Sequence, residues 1–262
     1  MILDEQTLAT LFTHKVLPTF KYLTPVTQPK GYVLGGQPGA GKSQLLKHAA
    51  QEQQGNIAVL NADEFRPLHP QFKAIAQQFG LEAANHTAAF VGAMVQQALQ
   101  YGVEQRFNLT IEGTFRTAET PLATLQILKA AGYQTEVLLS TCPKEVSWTS
   151  TLNRYTEMKR EGLSPRFTPK ASHDQTVEQL AQNVAQVTAQ ADQVRIFSRE
   201  GLLYQGHDPT KAAQQVEQEL TRPLTSAEYQ AAKESYEELL KEVQGQARDS
   251  LVKEQAAFLV NQ

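Results

Sequence analysis

The stretch "GYVLGGQPGAGKSQLLKHAA", residues 31 to 50, constrains this chain more than any other segment. A short apolar run enters a glycine-rich turn, and Lys42-Ser43 then opens a helical pattern. Gly36, Gly41, Lys42 and Ser43 satisfy G-x-x-x-x-G-K-[ST], with Gly39 inside the turn. Glycines at these places permit backbone angles closed to other residues, so successive N–H groups can turn inward on phosphate oxygens. The expected nucleotide-binding residues are Gly36, Gln37, Pro38, Gly39, Ala40, Gly41, Lys42 and Ser43. Lys42 would reach the β and γ phosphates, and Ser43 would ligate Mg²⁺ at the positive end of the following helix. The motif is specific for a nucleoside triphosphate and silent about what receives the phosphate.

The rest of the pattern supplies the setting for such a loop. "GYVLGG", "NIAVLNAD", "FNLTIEGT", "QTEVLLST" and "QVRIFSR" are short β-rich segments bounded by Gly, Asn or polar residues. Helical patterns lie between them at 43 to 53, 84 to 101, 118 to 131, 143 to 160 and 173 to 191. This alternation predicts an α/β fold: a P-loop kinase-like, doubly wound parallel sheet with helices on both faces. "LLYQG" reads as a last edge strand, and the sequence beyond Pro209 reads as extra C-terminal helices, one with Ser226 as its N-cap. Residues 3 to 17 form a short amphipathic helical pattern. The expected division is 1–28 as helix and connection, 29–205 as the kinase-like domain, and 206–262 as a helical extension packed on it.

Composition narrows the partners. The formal net charge is -3 and no run of Lys and Arg occurs, which argues against a nucleic-acid backbone or an anionic bilayer as ligand. Cys142 is the one cysteine, so an internal disulfide and a thiolate zinc site are excluded. The opening "MILDEQTLATLF" carries acids where a secretory signal carries bases, and no apolar run approaches the roughly 20 residues that span a bilayer. A soluble cytoplasmic protein is expected.

In an open parallel sheet the chemistry gathers beyond the carboxyl ends of the strands. The second apolar run is followed by Asp63, the third by Glu112, Thr114 and Arg116. A carboxylate at 63 suits a general base for an acceptor hydroxyl. Arg154 on a helix and Arg166 in a Pro-bounded loop supply cations for the phosphates. Each has a plainer alternative: Asp63 as the N-cap of the segment after it, Glu112 as a magnesium-side or surface acid, Arg154 paired with Glu157 or Glu161. His69, His86 and His173 show no metal-ligand spacing, and Phe90, Met94 and Trp148 read as packing.

Taken in order, "GGQPGAGKS", "NADEFRPLHPQF", "IEGTFRT", "LKAAGYQTEV", "NRYTEM" and "PRFTPKASHD" resemble the zeta-toxin family over about residues 30 to 200. The resemblance implies a P-loop kinase that uses ATP and Mg²⁺ to phosphorylate the sugar 3-hydroxyl of UDP-N-acetylglucosamine, or a related nucleotide sugar, and so poisons cell-wall synthesis. It also implies a small helical epsilon-type antitoxin on a separate chain. By motif position Asp63 matches the catalytic base, and Lys42 and Ser43 match the phosphate and magnesium residues. Glu112, Thr114 and Arg116 match residues that hold the nucleotide sugar, and Arg154 and Arg166 the arginines on ATP. Asn61 departs from the pattern, standing where relatives often carry an acid two residues before the base. Kinases of other small hydroxyl substrates, and a nucleotide-gated interaction module, remain open as readings of the same residues.

Overall fold

The computed structural model describes residues 3–113, 115–162 and 168–260. The chain opens with α1 (Glu5–Leu11), capped by Asp4, whose carboxylate accepts the Thr7 N–H. A π-helical turn at Phe12–Val16 and a 3-10 turn at Leu17–Phe20 follow. The helix expected over 3 to 17 therefore runs on irregularly to Phe20, and Val16 and Phe20 enter the main core.

Next come β1 (Lys30–Gly35), α2 (Ser43–Glu52), β2 (Ala58–Leu60), α3 (Ala62–Phe65), α4 (Phe72–Phe79) and α5 (Ala83–His86). They lead to α6 (Ala88–Glu104), β3 (Leu109–Glu112), α7 (Glu119–Ala130), β4 (Gln134–Ser140), α8 (Lys144–Arg160) and α9 (Lys170–Thr188). The last elements are β5 (Gln193–Phe197), β6 (Leu202–Gly206), α10 (Pro209–Thr221), α11 (Ser226–Glu242) and α12 (Gly245–Val260). The sheet order is β2-β3-β1-β4-β5-β6. The first five strands are parallel, as the alternation predicts, and β6, expected as an edge strand, closes that edge antiparallel to β5.

Side chains alternate across the sheet with the two-residue period of a strand. Tyr32, Leu34 and Leu138 pack on one face with Leu45 and Ala49 of α2. Val33, Val137 and Leu139 pack on the other with residues of α6, α7, α9 and α10. Helices thus cover both faces. Arg195 of β5 donates to Glu52 at 2.7 and 3.0 Å and also bonds Glu136, clamping the far end of α2 to the sheet.

Three local expectations are corrected. The helix expected over 84 to 101 divides at Thr87, whose hydroxyl accepts from Arg66 and which ends α5 before α6 begins. Helical turns also occupy 66 to 82, where no helix was expected. The N-cap of α11 is Thr225, not Ser226. Its hydroxyl accepts the Glu228 N–H at 3.2 Å while the Glu228 carboxylate accepts the Thr225 N–H at 2.9 Å, a reciprocal box that Ser226 cannot form.

α10 buries Ala212, Val216 and Leu220 in the main core. α11 and α12 instead build a separate apolar cluster on α8, with Trp148 and Leu152 against Tyr236, Leu239, Leu251 and Phe258.

Candidate active site

Strand register places the site. Leu34 of β1 lies beside Glu112 of β3 on one side and Leu138 of β4 on the other, and the Gly113 N–H bonds the Leu34 carbonyl at 2.9 Å. Leu60 of β2 lies beside Ile111, so the residues after β2 and β3 emerge together next to the glycine turn.

The turn is held from outside. Gly36 has φ +138°, and a Cβ there would stand 2.1 Å from the Ser140 carbonyl oxygen. Gly39 has φ +83°, and its Cβ would meet the Ser147 carbonyl at 2.0 Å. Only glycine fits either place. Ser140 Oγ donates to the Ala40 carbonyl at 2.6 Å, Gln37 Nε2 to the Cys142 carbonyl at 2.8 Å, and Arg199 Nη2 to the Gly39 carbonyl at 3.0 Å. With carbonyls tied outward, the N–H groups of Gly39, Gly41, Lys42 and Ser43 are left with no acceptor among the described residues. Four orphan donors at the start of a ten-residue helix form an anion cradle.

Lys42 Nζ bonds the Gly36 and Gln37 carbonyls at 2.9 and 3.2 Å. The residue as a whole is half-buried, but its ammonium is turned under the loop. Burial pushes that ammonium down to about 8, Glu112 and Asp63 pull it back up, and Arg154 pushes it further down. Lys42, Glu112, Arg154 and Asp63 therefore share one electrostatic neighbourhood, although they come from four separate elements.

The acceptor side is organised by Asn61. Its Oδ1 accepts the Asp63 N–H at 2.9 Å, which caps α3, and its Nδ2 donates to Glu112 Oε2 at 2.9 Å. Asn61, not Asp63, is thus the cap. An aspartate at 61 could cap equally well but would set a second negative charge against Glu112. The Asp63 side chain stays about half exposed, with Arg66 3.6 Å away. Glu112 and Arg116 line a cleft of about 210 Å³ with Gly113, Phe115, Thr117 and Thr120. Phe115 is buried at φ +58°, and its ring occupies the space that a side chain at Gly35 would need. Asn183 of α9 holds this bend by donating to the Phe115 and Arg116 carbonyls at 2.9 and 3.0 Å.

Of the residues expected from sequence, the phosphate loop, Asp63, Glu112 and Arg154 converge, and Arg116 shares the cleft of Glu112. Thr114 and Arg166 lie outside the described residues. Asn183 and Arg199 were not foreseen. Asn183 sits within a helix 68 residues from Phe115 and carries no local signal. Arg199 follows the fifth strand directly, a strand-end position like those that flagged Asp63 and Glu112.

The Zeta toxin family model matches residues 14–209. The chain belongs to the zeta-toxin family. It is 36% identical over 199 residues to Toxin PezT of Streptococcus pneumoniae, covering 74% of this chain and 78% of that protein. It is 32% identical over 219 residues to Toxin zeta of Streptococcus pyogenes, covering 81% and 76%. A structure from the PezAT chromosomal toxin–antitoxin system of S. pneumoniae superposes with a TM-score of 0.81 at 27% identity, over 92% of this chain and 98% of that one. The AvrRxo1-ORF1:ORF2 complex with ATP superposes at 0.54 with 15% identity, over 95% of this chain and 83% of that one, a likeness of fold. This zeta-toxin chain accordingly has the kinase-like P-loop architecture of its family.

Proposed function

We propose that the chain is an ATP-dependent phosphotransferase acting on the sugar 3-hydroxyl of UDP-N-acetylglucosamine, and that it serves as the toxin of a toxin–antitoxin pair. The observation that carries this reading is the orphaned N–H cradle of the phosphate loop, with Lys42 in the electrostatic field of Asp63 and Glu112. The UDP-sugar acceptor rests on the family resemblance of Glu112, Thr114 and Arg116.

The cradle fits a triphosphate. The N–H groups of Gly39, Gly41, Lys42 and Ser43 would take its oxygens, and the Lys42 ammonium would leave the loop carbonyls for the β and γ phosphates. Ser43 would hold Mg²⁺ together with phosphate oxygens and water. Among the described residues no group of three or more His, Cys, Asp or Glu could hold a metal ion. ATP would supply the phosphoryl group, and Mg²⁺ held at Ser43 would supply neutralisation of phosphate charge.

Asp63 takes the proton of the sugar alcohol as that oxygen bonds to the γ phosphorus and the bond to the ADP oxygen breaks. Asn61 fixes the peptide that presents Asp63 and, through its amide, the carboxylate of Glu112. Glu112 and Arg116 hold the acceptor, and Arg154, with Arg166 assigned by resemblance, stabilises charge on the phosphates. Both substrates are cytoplasmic metabolites, which places the activity in that compartment. Among the described residues no helix is long and apolar enough to cross a membrane. A small helical antitoxin that covers the ATP cleft is the expected partner.

The test is direct. The purified chain is incubated with ATP, Mg²⁺ and UDP-N-acetylglucosamine, and the sugar is examined for the mass gain of one phosphoryl group. Gain on another nucleotide sugar or small alcohol in a panel would move the acceptor while keeping the chemistry. ATP binding with no gain on any acceptor would leave a nucleotide-gated module and end the kinase reading.

A further inference from the structure

A second cavity, of about 620 Å³, lies away from the phosphate loop between α8, α9 and the three C-terminal helices. Its size is that of sites that enclose small organic ligands. Trp148, Tyr236 and Phe258 supply rings to its wall, each at most 6% exposed. The catalytic account uses none of them.

Two features of the lining select the ligand. The first is charge. Two lysines, Lys144 and Lys170, face five carboxylates, namely Glu145, Asp174, Glu178, Glu217 and Glu254. The lysines are already matched. Lys170 Nζ bonds Asp174 at 2.6 and 2.7 Å, and Lys144 lies 3.9 Å from Glu145. Among the described residues Glu178, Glu217 and Glu254 have no cation within ion-pair distance, and Lys170 reaches Glu254 only through its field. The second feature is unmet hydrogen bonding. Glu254 Oε2 is buried without a partner, and so is the Trp148 indole N–H. The indole N–H is directed toward both the Glu254 carboxylate and the Tyr236 hydroxyl without reaching full hydrogen-bond geometry with either. A buried acceptor without a donor is costly, and burial accordingly raises the Glu254 carboxyl above its ordinary range.

The chain itself shows how an ammonium is received here. Lys170 Nζ sits 5.2 Å from the Trp148 ring centroid while bonded to a carboxylate. An ammonium beside Glu254, with an apolar body against Tyr236 and Phe258, repeats that arrangement with the remaining rings and the remaining carboxylates. We propose that this cavity binds an organic ammonium with an aromatic or aliphatic body, at a site separate from the nucleotide cleft.

The cavity nonetheless backs closely onto the phosphate loop. His173 lines it and meets Ser147 Oγ at 2.9 Å, and the Ser147 carbonyl is the group that forbids a side chain at Gly39. The inference does not depend on the phosphotransferase reading.

Trp148 is the sole tryptophan of the chain, so its fluorescence, and its single indole N–H resonance, report on this cavity alone. The full chain is titrated with phenethylammonium, phenethyl alcohol and hydrocinnamate, a cation, a neutral analogue and an anion of similar body. Saturable change is expected with the ammonium, with the alcohol at least about tenfold weaker and hydrocinnamate weaker still. Glu254→Gln preserves shape and should weaken the ammonium about tenfold without moving the alcohol. Lys42→Ala should leave all three titrations unchanged. Equal binding of ammonium and alcohol, an unaffected Glu254→Gln, or loss of binding in Lys42→Ala would each overturn the proposal. If Glu254→Gln disturbs the fold, the indole resonance of the unaltered chain still separates cation from alcohol.

Discussion

The phosphate loop and the C-terminal helical layer are both packed against α8, yet they use the chain in opposite ways. In the loop, function comes from backbone: glycines remove side chains so that carbonyls can be pinned outward and N–H groups left facing a ligand. In the layer of α11 and α12, order comes from side chains: Trp148, Leu152, Tyr236 and Leu239 interdigitate in a cluster of their own. At Gly36 and Gly39 the loop has no room for a side chain, whereas the layer is held together by its side chains. The Lys42, Glu112 and Asp63 charges gather beside the first, and apolar packing orders the second.

The largest expected effect tests whether catalysis stays on the loop side. Asp63→Asn should lower phosphoryl transfer by about a thousandfold, the scale of a lost general base. ATP affinity, by calorimetry, and the unfolding midpoint should be little changed, because the Asp63 side chain is about half exposed. Equal loss of ATP binding would show that Asp63 builds the nucleotide site instead of serving the acceptor.

Next comes the opposite probe. Leu239 is 4% exposed in the C-terminal cluster, and Leu239→Ala should cost about 3 kcal/mol in denaturant unfolding through lost transfer energy and a residual cavity. ATP affinity well below the melting transition should be unchanged. A coupled loss of affinity would join the two regions into one cooperative unit and spoil the contrast.

Gly36→Ala should weaken ATP at least about tenfold and also lower the unfolding midpoint, since the added methyl must shift either the loop or the Ser140 peptide at a cost of about 1–3 kcal/mol. A crystal structure of the variant with an unmoved loop would refute the steric account.

The gentlest probe is pH. Burial lowers the Lys42 ammonium to about 8 in the ligand-free protein, whereas the unfolded chain keeps an ordinary lysine. Between about 8 and the ordinary value the unfolded state binds more protons, so folding stability gains from Lys42 as pH rises. ATP needs the cation, so its affinity should fall above about pH 8 by up to about tenfold per unit, with proton uptake on binding seen by calorimetry in different buffers. Lys42→Met should bind weakly and show no such slope. An unchanged slope would assign the titration to another group.

Much of the candidate site was legible because its requirements are local. The glycine spacing, the Lys-Ser pair, and the acids just past the second and third strands depend on strand ends that a short apolar run already marks. The fold class followed from the same alternation of periods. Where expectation slipped, a local pattern had competitors. Ser226 and Thr225 are both acceptable caps, and only the Glu228 carboxylate reaching back decides between them. Thr87 breaks the α5–α6 helix where Arg66 donates to its hydroxyl. Asn61 looked like a departure from a family pattern, whereas its amide serves Asp63 and Glu112 at once.

By itself, then, the sequence determined which backbone could form an anion cradle and which strand ends would carry the candidate side chains, since glycine freedom and side-chain alternation act over a few residues. The tertiary structure decided what those groups feel. Lys42 is lowered by an enclosure drawn from several strands, Asn183 pins a bend 68 residues away, and the C-terminal helices close a charged cavity that no segment contains on its own. Desolvation and Coulomb fields depend on distances through space, and those exist only after the chain has folded.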